Sequence, residues 1–240
     1  MAERAVLELH AATGGYEDNT VLHGVDLRIE AGTWTTIIGA NGAGKSTLLK
    51  LIAGIVPCRT GRVAFEGADV TTLGAPTRLR AGIGLVPQGR CNFPLLSVEE
   101  NLLLGGYTRR LKRGELARES AAMGELFPLL RERWQVDAGN LSGGEQQLLE
   151  MAMVLMARPR LLLLDEPSLG LAPAPMQAVF ERVRSLTVRG VTVLMVEQNA
   201  RQALERCDVG MVLELGRVTL VEPARELLAH PDIRRSFLGR

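Results

Sequence analysis

The run Ile37-Ile38-Gly39-Ala40-Asn41-Gly42-Ala43-Gly44-Lys45-Ser46-Thr47-Leu48-Leu49 constrains this chain more than any other stretch. It matches the phosphate-cradling pattern G-x-x-x-x-G-K-[ST], with an apolar strand before it and an apolar-periodic helix after it. The residue types follow from the chemistry. Gly39, Gly42 and Gly44 let the loop curl until successive backbone N–H groups point inward at phosphate oxygens. Gly39, Ala40, Asn41, Gly42, Ala43, Gly44, Lys45, Ser46 and Thr47 together form the candidate cradle. Lys45 supplies a mobile point charge for β- and γ-phosphates, and the Ser46 hydroxyl is a hard oxygen ligand for Mg²⁺. The helix expected over 45–53 aims its positive N-terminal end at the anion, and Gly54 is placed to cap its other end. The alternative, an ordinary glycine turn between strand and helix, does not explain why motif and flanks agree. The run implies binding of a nucleoside triphosphate.

Composition bounds what can surround that loop. A chain of 240 residues with 46% hydrophobic content suits one large α/β domain with a small inserted subdomain. Lys plus Arg number 28 against 27 Asp plus Glu, a net charge of +1. That balance gives no general attraction to nucleic acid, which is not expected as a partner. Cys58, Cys91 and Cys207 are scattered and odd in number, which suits a reducing compartment and argues against a disulfide framework or a zinc site. The start, Met1-Ala2-Glu3-Arg4-Ala5-Val6-Leu7-Glu8, carries acids where a signal peptide would carry an unbroken apolar core. The longest apolar runs, 161–164 and 191–196, fall far short of the ~20 residues a spanning helix needs. A soluble protein is expected, with any membrane role supplied by a partner.

Taken in order, the chain reads as short strands at 6–10, 25–29 and 34–38, separated by turn signals at Thr13-Gly14-Gly15 and Glu30-Ala31-Gly32. A further strand is expected at 62–65 and another at 83–87, followed directly by Gln88-Gly89. Strands ahead of the first long helix suggest a mixed sheet with an antiparallel part near the N-terminus. From about 97 to 155 the pattern turns helical. Ser97-Val98-Glu99-Glu100 is a capping box that opens a helix through 104, and helical periodicity continues over 116–130. After it come strand 161–164, helix 174–189, strand 191–196, helix 199–205, strands near 210–213 and 218–221, and a closing helix. Such βα alternation implies a parallel sheet covered by helices. The expected division is an α/β core at about 1–90 and 157–240, with a helical subdomain at about 91–156.

Two further constellations carry chemistry. Leu161-Leu162-Leu163-Leu164-Asp165-Glu166-Pro167 is a buried strand ending in two acids, and ligands of open parallel sheets collect at the carboxyl ends of strands. Asp165 is placed to hold Mg²⁺ through water, and Glu166 to accept a proton from attacking water. Alone, a strand ending at an acidic turn is commonplace; beside a phosphate loop it is informative. In Leu141-Ser142-Gly143-Gly144-Glu145-Gln146-Gln147, small residues stand before a strong helix over 145–156, a second anion-binding helix N-terminus. One triphosphate needs only one such cradle. A second implies that two copies, or two relatives, face each other and each lends its cradle to the other's γ-phosphate. The alternative is an unusual helix cap, for which Ser142 alone suffices.

In order, the sequence thus carries Walker A (39–47), a Q-loop glutamine (Gln88), the signature Leu141-Ser142-Gly143-Gly144-Glu145, Walker B (161–166) and the D-loop Ser168-Leu169-Gly170-Leu171. Over nearly its whole length it resembles the nucleotide-binding subunit of an ABC transporter, with a P-loop NTPase core, an N-terminal antiparallel β part and an inserted helical subdomain. Local stretches narrow the resemblance: Pro87-Gln88-Gly89-Arg90 with Phe93-Pro94, the run from Ser97 to Leu102, Asp165-Glu166-Pro167 through Pro173, Val196-Glu197-Gln198-Asn199-Ala200 and Ser236-Phe237-Leu238-Gly239. These are similar to the smaller ATPase of bacterial branched-chain amino acid importers; urea and short-amide importers look alike.

The resemblance implies an ATPase using ATP and Mg²⁺. In it Tyr16 stacks on adenine, Gln88 touches Mg²⁺ or attacking water, and Ser142, Gly143, Gly144 and Glu145 meet the partner's ATP. Lys45, Gln88, Glu166 and Gln198 form the implied catalytic set, and Ser46, Gln88 and Asp165 the metal set. It also implies a second ABC ATPase subunit, membrane permeases, a periplasmic or extracellular solute-binding protein and a place on the cytoplasmic face of the plasma membrane. Two positions depart from the family pattern. Gln198 stands where many relatives have histidine; its amide can donate to phosphate but carries no charge, and the bland reading is a polar helix cap. Met153 stands where an arginine is frequent, and the sequence offers no reason. The competing classes are a non-transport ABC ATPase, for which no second cassette, coiled coil or zinc-binding cysteines are present, and a metabolite kinase, which leaves the second cradle unexplained.

Overall fold

The computed structural model describes residues 5–237. The chain opens with two long strands, β1 (Ala5–Tyr16) and β2 (Asn19–Glu30), followed by β3 (Trp34–Ile38) and helix α1 (Lys45–Ile52). Next come β4 (Cys58–Phe65), β5 (Ala68–Asp69), α2 (Ala75–Ala81) and β6 (Ile83–Val86). The helical stretch holds α3 (Val98–Gly105), α4 (Arg113–Leu126), α5 (Pro128–Glu132) and α6 (Gly143–Leu155). The chain closes with β7 (Leu161–Asp165), α7 (Pro173–Val188), β8 (Thr192–Val196), α8 (Ala200–Leu204), β9 (Val209–Glu214), β10 (Arg217–Pro223), α9 (Ala224–Ala229) and α10 (Pro231–Phe237).

The strands form two sheets: the antiparallel part expected near the N-terminus is present, as a sheet of its own beside the mainly parallel one. One runs β2-β1-β4-β5 and is antiparallel; the other runs β10-β9-β3-β8-β7-β6. In the second, β9, β3, β8, β7 and β6 are mutually parallel, and the antiparallel strand is β10, far from the N-terminus. The reason lies in α1. Leu48, Leu49, Leu51 and Ile52 are all fully buried and share one apolar cluster with Leu7, Leu9 and Leu22 of the first sheet and with Ile37, Leu161, Leu163 and Leu194 of the second. A helix whose apolar residues meet both sheets packs between them instead of covering one face.

The central parallel strands β7 and β8 of the larger sheet carry near-continuous apolar sequence because both faces are covered. Leu161 and Leu163 of β7 face the α1 side, while Leu162 and Leu164 face a second cluster. That second cluster also holds Val98 and Leu102 of α3, Leu148 and Leu149 of α6, and Val179, Phe180 and Val183 of α7. The helical stretch therefore shares a core with the sheet.

Several boundaries differ from sequence expectation. Thr13, Gly14 and Gly15 lie inside β1, which pairs with β2 up to Tyr16 opposite Asn19; Glu17 and Asp18 make the turn. The glycines serve close approach instead: a Cβ on Gly14 would sit 2.7 Å from Pro57 O and 2.6 Å from Leu51 Cδ1. The helix read over 116–130 starts at Arg113 and breaks at Phe127 (φ −124°, ψ 76°), because Pro128 biases the preceding residue away from helix and lacks a donor. The capping box is present: Ser97 accepts from Glu100 N, and the Glu100 carboxylate accepts from Ser97 N at 2.8 Å. Helix α1 ends at Ala53, with Gly54 at φ +76°; Ile55 N donates to Lys50 O and Gly54 N to Leu51 O, a complete C-terminal cap. Helix α2 and the short β5 were not anticipated, and the closing helix is two. The stretch Ser236-Phe237-Leu238-Gly239 and the opening Met1–Arg4 lie partly or wholly outside the described residues.

Candidate functional site

Because β3, β8, β7 and β6 are parallel and adjacent, their carboxyl ends deliver four loops to one edge. These begin at Gly39, Glu197, Glu166 and Pro87. The phosphate loop turns on Gly42 (φ +80°) and Gly44 (φ +102°), conformations that side chains rarely adopt. Gly39 packs so closely on Leu213 O that a Cβ there would collide. Lys45 is 5% exposed, and its ammonium donates to Gly39 O at 2.8 Å and Ala40 O at 3.1 Å, inside the curl of the loop. Burial lowers its pKa, against the opposing pull of Glu166 and Asp165. Ser46 Oγ donates to Asp165 Oδ1 at 2.8 Å, joining the start of α1 to the end of β7. Burial pushes the Asp165 carboxyl up, with the Ser46 hydrogen bond opposing.

The next residue, Glu166, is held in the left-handed region at φ +51° while its N–H donates to Val196 O at 2.9 Å. Strain of that kind costs about 1–3 kcal/mol and turns the side chain out of the strand direction. Gln88 Nε2 donates to Glu166 Oε2 at 3.2 Å across the gap between β6 and β7. A cleft of about 400 Å³ is lined by Asn41, Gly42, Gly44, Lys45, Ser46, Thr47, Gln88, Glu166 and Gln198. Among the described residues no group of three or more His, Cys, Asp and Glu converges on a metal position. Ser46 and Asp165 nevertheless present two adjoining hard oxygens, the donor set that suits Mg²⁺ arriving with phosphates.

The remaining candidates stand elsewhere. Tyr16 ends β1, 45% exposed, and does not line the cleft; Val21 of β2 does. Ser142, Gly143, Gly144 and Glu145 also lie outside it. Ser142 caps α6, accepting from Glu145 N at 3.4 Å, while the Glu145 carboxylate accepts from Ser142 N at 2.8 Å and faces Arg133. The Glu145 carboxylate is thus engaged within its own cap, and the Ser142 hydrogen bond lowers its pKa. Gly143 lines a separate cleft of about 500 Å³ with Gln147, Gln88, Glu166 and the loop at Leu169-Gly170-Leu171. The two cradles of one chain do not close on a common pocket.

Sequence reasoning missed Glu197. It is 2% exposed, its carboxylate accepts from Ser168 N at 3.0 Å and Gln198 N at 3.2 Å, and burial raises its pKa. It fastens the loop after β7 to the loop after β8. Its place before Gln198 at the end of a fully apolar strand was the available signal. Met153 proves to line a groove of about 500 Å³ with Ile55, Leu79, Leu85, Pro87 and Val154, largely apolar apart from the buried Glu150.

Comparison with known proteins agrees with this geometry. Residues 22–169 match the model of the ABC transporter family. The high-affinity branched-chain amino acid transport ATP-binding protein BraG of Pseudomonas aeruginosa is 45% identical over 218 residues, 91% of this chain and 93% of that protein. The probable branched-chain amino acid transport ATP-binding protein LivF of Archaeoglobus fulgidus is 38% identical over 94% of this chain and 95% of its own. A Nod factor export ATP-binding protein of Rhizobium meliloti is 36% identical over 88% of this chain and 62% of its own. Among solved structures, the ADP conformation of the cassette MJ1267 superposes with a TM-score of 0.84 at 26% identity, over 98% of this chain and 99% of that one. A dimeric post-hydrolysis cassette, MJ0796 bound to ADP and Pi, gives 0.80 at 25% identity, over 91% and 99%. This chain belongs to the ABC transporter family and is one of its ATP-binding, ATP-hydrolysing subunits.

Proposed function

We propose that this subunit drives uptake of branched-chain amino acids, working as one of a pair of facing ATPase subunits on the cytoplasmic side of membrane permeases that a solute-binding protein supplies. The observation that carries the reading is the 45% identity with BraG over nearly the full length of both chains. Uptake of urea or short amides is the second reading. The permeases meet the apolar groove beside Gln88, formed where α6, from the helical subdomain of residues 91–156, meets the core.

The residues divide the work as follows. The N–H groups of the loop from Gly39 to Thr47 and the start of α1 receive the phosphates, and Lys45 exchanges its two carbonyl partners for phosphate oxygens. Ser46 and Asp165 hold Mg²⁺, with Gln88 beside them; the ion would neutralise charge on the phosphates. Glu166, oriented by Gln88, accepts a proton from the water whose oxygen bonds to the γ-phosphorus as the bond to the bridging oxygen breaks and ADP leaves. Gln198 donates its amide to the γ-phosphate, Tyr16 stacks on adenine, and Ser142, Gly143 and Gly144 close over the partner's nucleotide.

The test is uptake in a host deleted for this gene and complemented with the parent or with Glu166→Gln. Loss of a general base costs about 10²–10⁴ in rate. The parent should restore leucine uptake, and Glu166→Gln should bind ATP yet restore none. Restoration of urea but not leucine uptake moves the reading to the second solute.

A further inference from the structure

The middle of α6 holds an acid that the scheme above does not use. Glu150 is 2% exposed, set in a helix whose neighbouring residues Leu148, Leu149, Met151, Ala152 and Met153 are all buried. A buried carboxylate is costly unless it is hydrogen-bonded, so its partners are informative. A single oxygen, Oε1, accepts from Cys91 N at 2.9 Å and from Asn92 Nδ2 at 3.0 Å. Both donors belong to the segment that follows Gln88. Just beyond, Asn101, fully buried, accepts from Phe93 N at 2.8 Å and donates to Phe93 O, Leu96 O and Ser97 O. The chain between the end of β6 at Val86 and Phe93 is therefore pinned at its far end by Glu150 and Asn101, while its bend passes through Gly89 at φ +90°.

Glu150 also lines both the apolar groove beside Pro87 and the cleft that Gly143 shares with Glu166. It sits in the wall between them. We propose that Glu150 is a positioning residue for ATP hydrolysis, holding Cys91 and Asn92 against α6 so that Gln88, three residues earlier, stands where it orients the Glu166 carboxylate. Through the same tie, the segment carrying Gln88 moves with the helix that Ser142 caps. The inference rests on the reading of Glu166 as general base.

Hydrogen exchange of the 88–93 peptide, ATP affinity by titration, and kcat and KM for Mg-ATP are compared in the parent, Glu150→Gln, Glu150→Ala, Asn92→Ala and Glu166→Gln. Because both donors meet one oxygen, glutamine can keep the tie, and Glu150→Gln should retain parental exchange and turnover. Glu150→Ala should expose the Cys91 amide to exchange and lower kcat by about ten-fold or more, as misplaced catalytic groups do. Its KM and ATP affinity should stay within about two-fold of the parent, since no residue of the phosphate loop is touched. Glu150→Ala turning over like the parent, or Glu150→Gln as slow as Glu150→Ala, overturns the proposal. Should Glu150→Ala fail to fold, Asn92→Ala removes one donor from the partly buried loop and must show the same fall in kcat with retained affinity; parental turnover there overturns it equally. If Glu166→Gln itself turns over at the parental rate, the base lies elsewhere and the functional reading fails. A stalled Glu166→Gln beside an unaffected Glu150→Ala sinks the positioning role alone.

Discussion

Arg78 offers a stability test whose size can be worked from geometry. It is 1% exposed, and its guanidinium donates to Leu51 O and Ile52 O at 2.8 Å each, to Leu73 O at 2.8 Å and to Thr71 O at 2.9 Å. All four of these partners are backbone carbonyls, and two of them are at the carboxyl end of α1, where the helix dipole favours a cation. Hydrogen bonds to a charged group contribute about 1.5–3 kcal/mol each, so four set an upper bound of roughly 6–12 kcal/mol. Burying the cation costs several kcal/mol in return, and burial lowers the Arg78 pKa accordingly. Arg78→Met keeps the aliphatic stem but strands the carbonyls. A net loss of about 3–5 kcal/mol is expected, a large share of the roughly 5–15 kcal/mol a domain possesses. At about 2–4 °C per kcal/mol for this chain length, melting should fall by about 6–20 °C. Arg78→Lys, with a compact ammonium that cannot fan across four acceptors, should recover only part. Thermal melting of the nucleotide-free protein reads this directly. An Arg78→Met protein melting within about 2 °C of the parent would refute the argument, because so small a shift is under 1 kcal/mol.

Three other expectations concern the site and its acids. Ser142→Arg should abolish turnover while nucleotide titration of the monomer stays parental, since Ser142 does not line its own chain's phosphate cleft; loss of monomer binding would contradict catalysis in trans. Gln198→Ala should slow turnover by about ten- to a hundred-fold if its amide donates to a charged phosphate, a bond worth roughly 1.5–3 kcal/mol, and Gln198→His should keep much of the activity with a new pH dependence near neutrality. Parental speed in Gln198→Ala would leave Gln198 with no part in hydrolysis, since Asn199 and not Gln198 caps α8, accepting from Gln202 N at 3.3 Å. Burial holds the carboxyls of Glu150 and Glu197 above their ordinary 4.5 and that of Asp165 above 3.8. Each contributes stability that is complete below the ordinary value and is lost as pH rises through the folded one. Melting temperature should therefore rise as pH is lowered through the raised folded values of these acids towards their ordinary ones, and Glu150→Gln should flatten that slope. A steady fall over the same window would show that other groups dominate.

The phosphate loop, the acids after β7 and the capping box at Ser97 were legible because their chemistry is local: a few neighbouring residues contain the whole physical reason. What the sequence concealed depends on distant partners. Helix α2 carries Ala75-Pro76-Thr77-Arg78-Leu79-Arg80-Ala81, and its one buried residue is Arg78. A helix that buries an arginine shows no apolar periodicity to read. Thr13-Gly14-Gly15 mimicked a turn because glycine needed for close approach to α1 and its following loop looks the same as glycine needed for a turn. The division into two sheets turns on α1 packing its apolar residues against both, a property visible in Leu48, Leu49, Leu51 and Ile52 only once both sheets are known. Nothing local marks Glu150 in the sequence, and only its contacts with Cys91 and Asn92 show how a buried carboxylate is satisfied there.

A common physical cause connects these buried polar side chains. Parallel strands satisfy one another's backbone groups, but the loops leaving their carboxyl ends have no ladder to join. Buried N–H and C=O groups still require partners. Here side chains supply them: Lys45 for Gly39 and Ala40, Glu197 for Ser168 and Gln198, Glu150 for Cys91, and Asn101 for Phe93, Leu96 and Ser97. Arg78 does the same at the far end of α1. A side-chain partner differs from a ladder in one respect that matters for an enzyme that cycles. It can be exchanged one bond at a time, as Lys45 must do when phosphate arrives, without unzipping a strand. The sheet can then stay rigid while the loops on its edge change partners, and each buried polar residue marks a place where such a change is held in check.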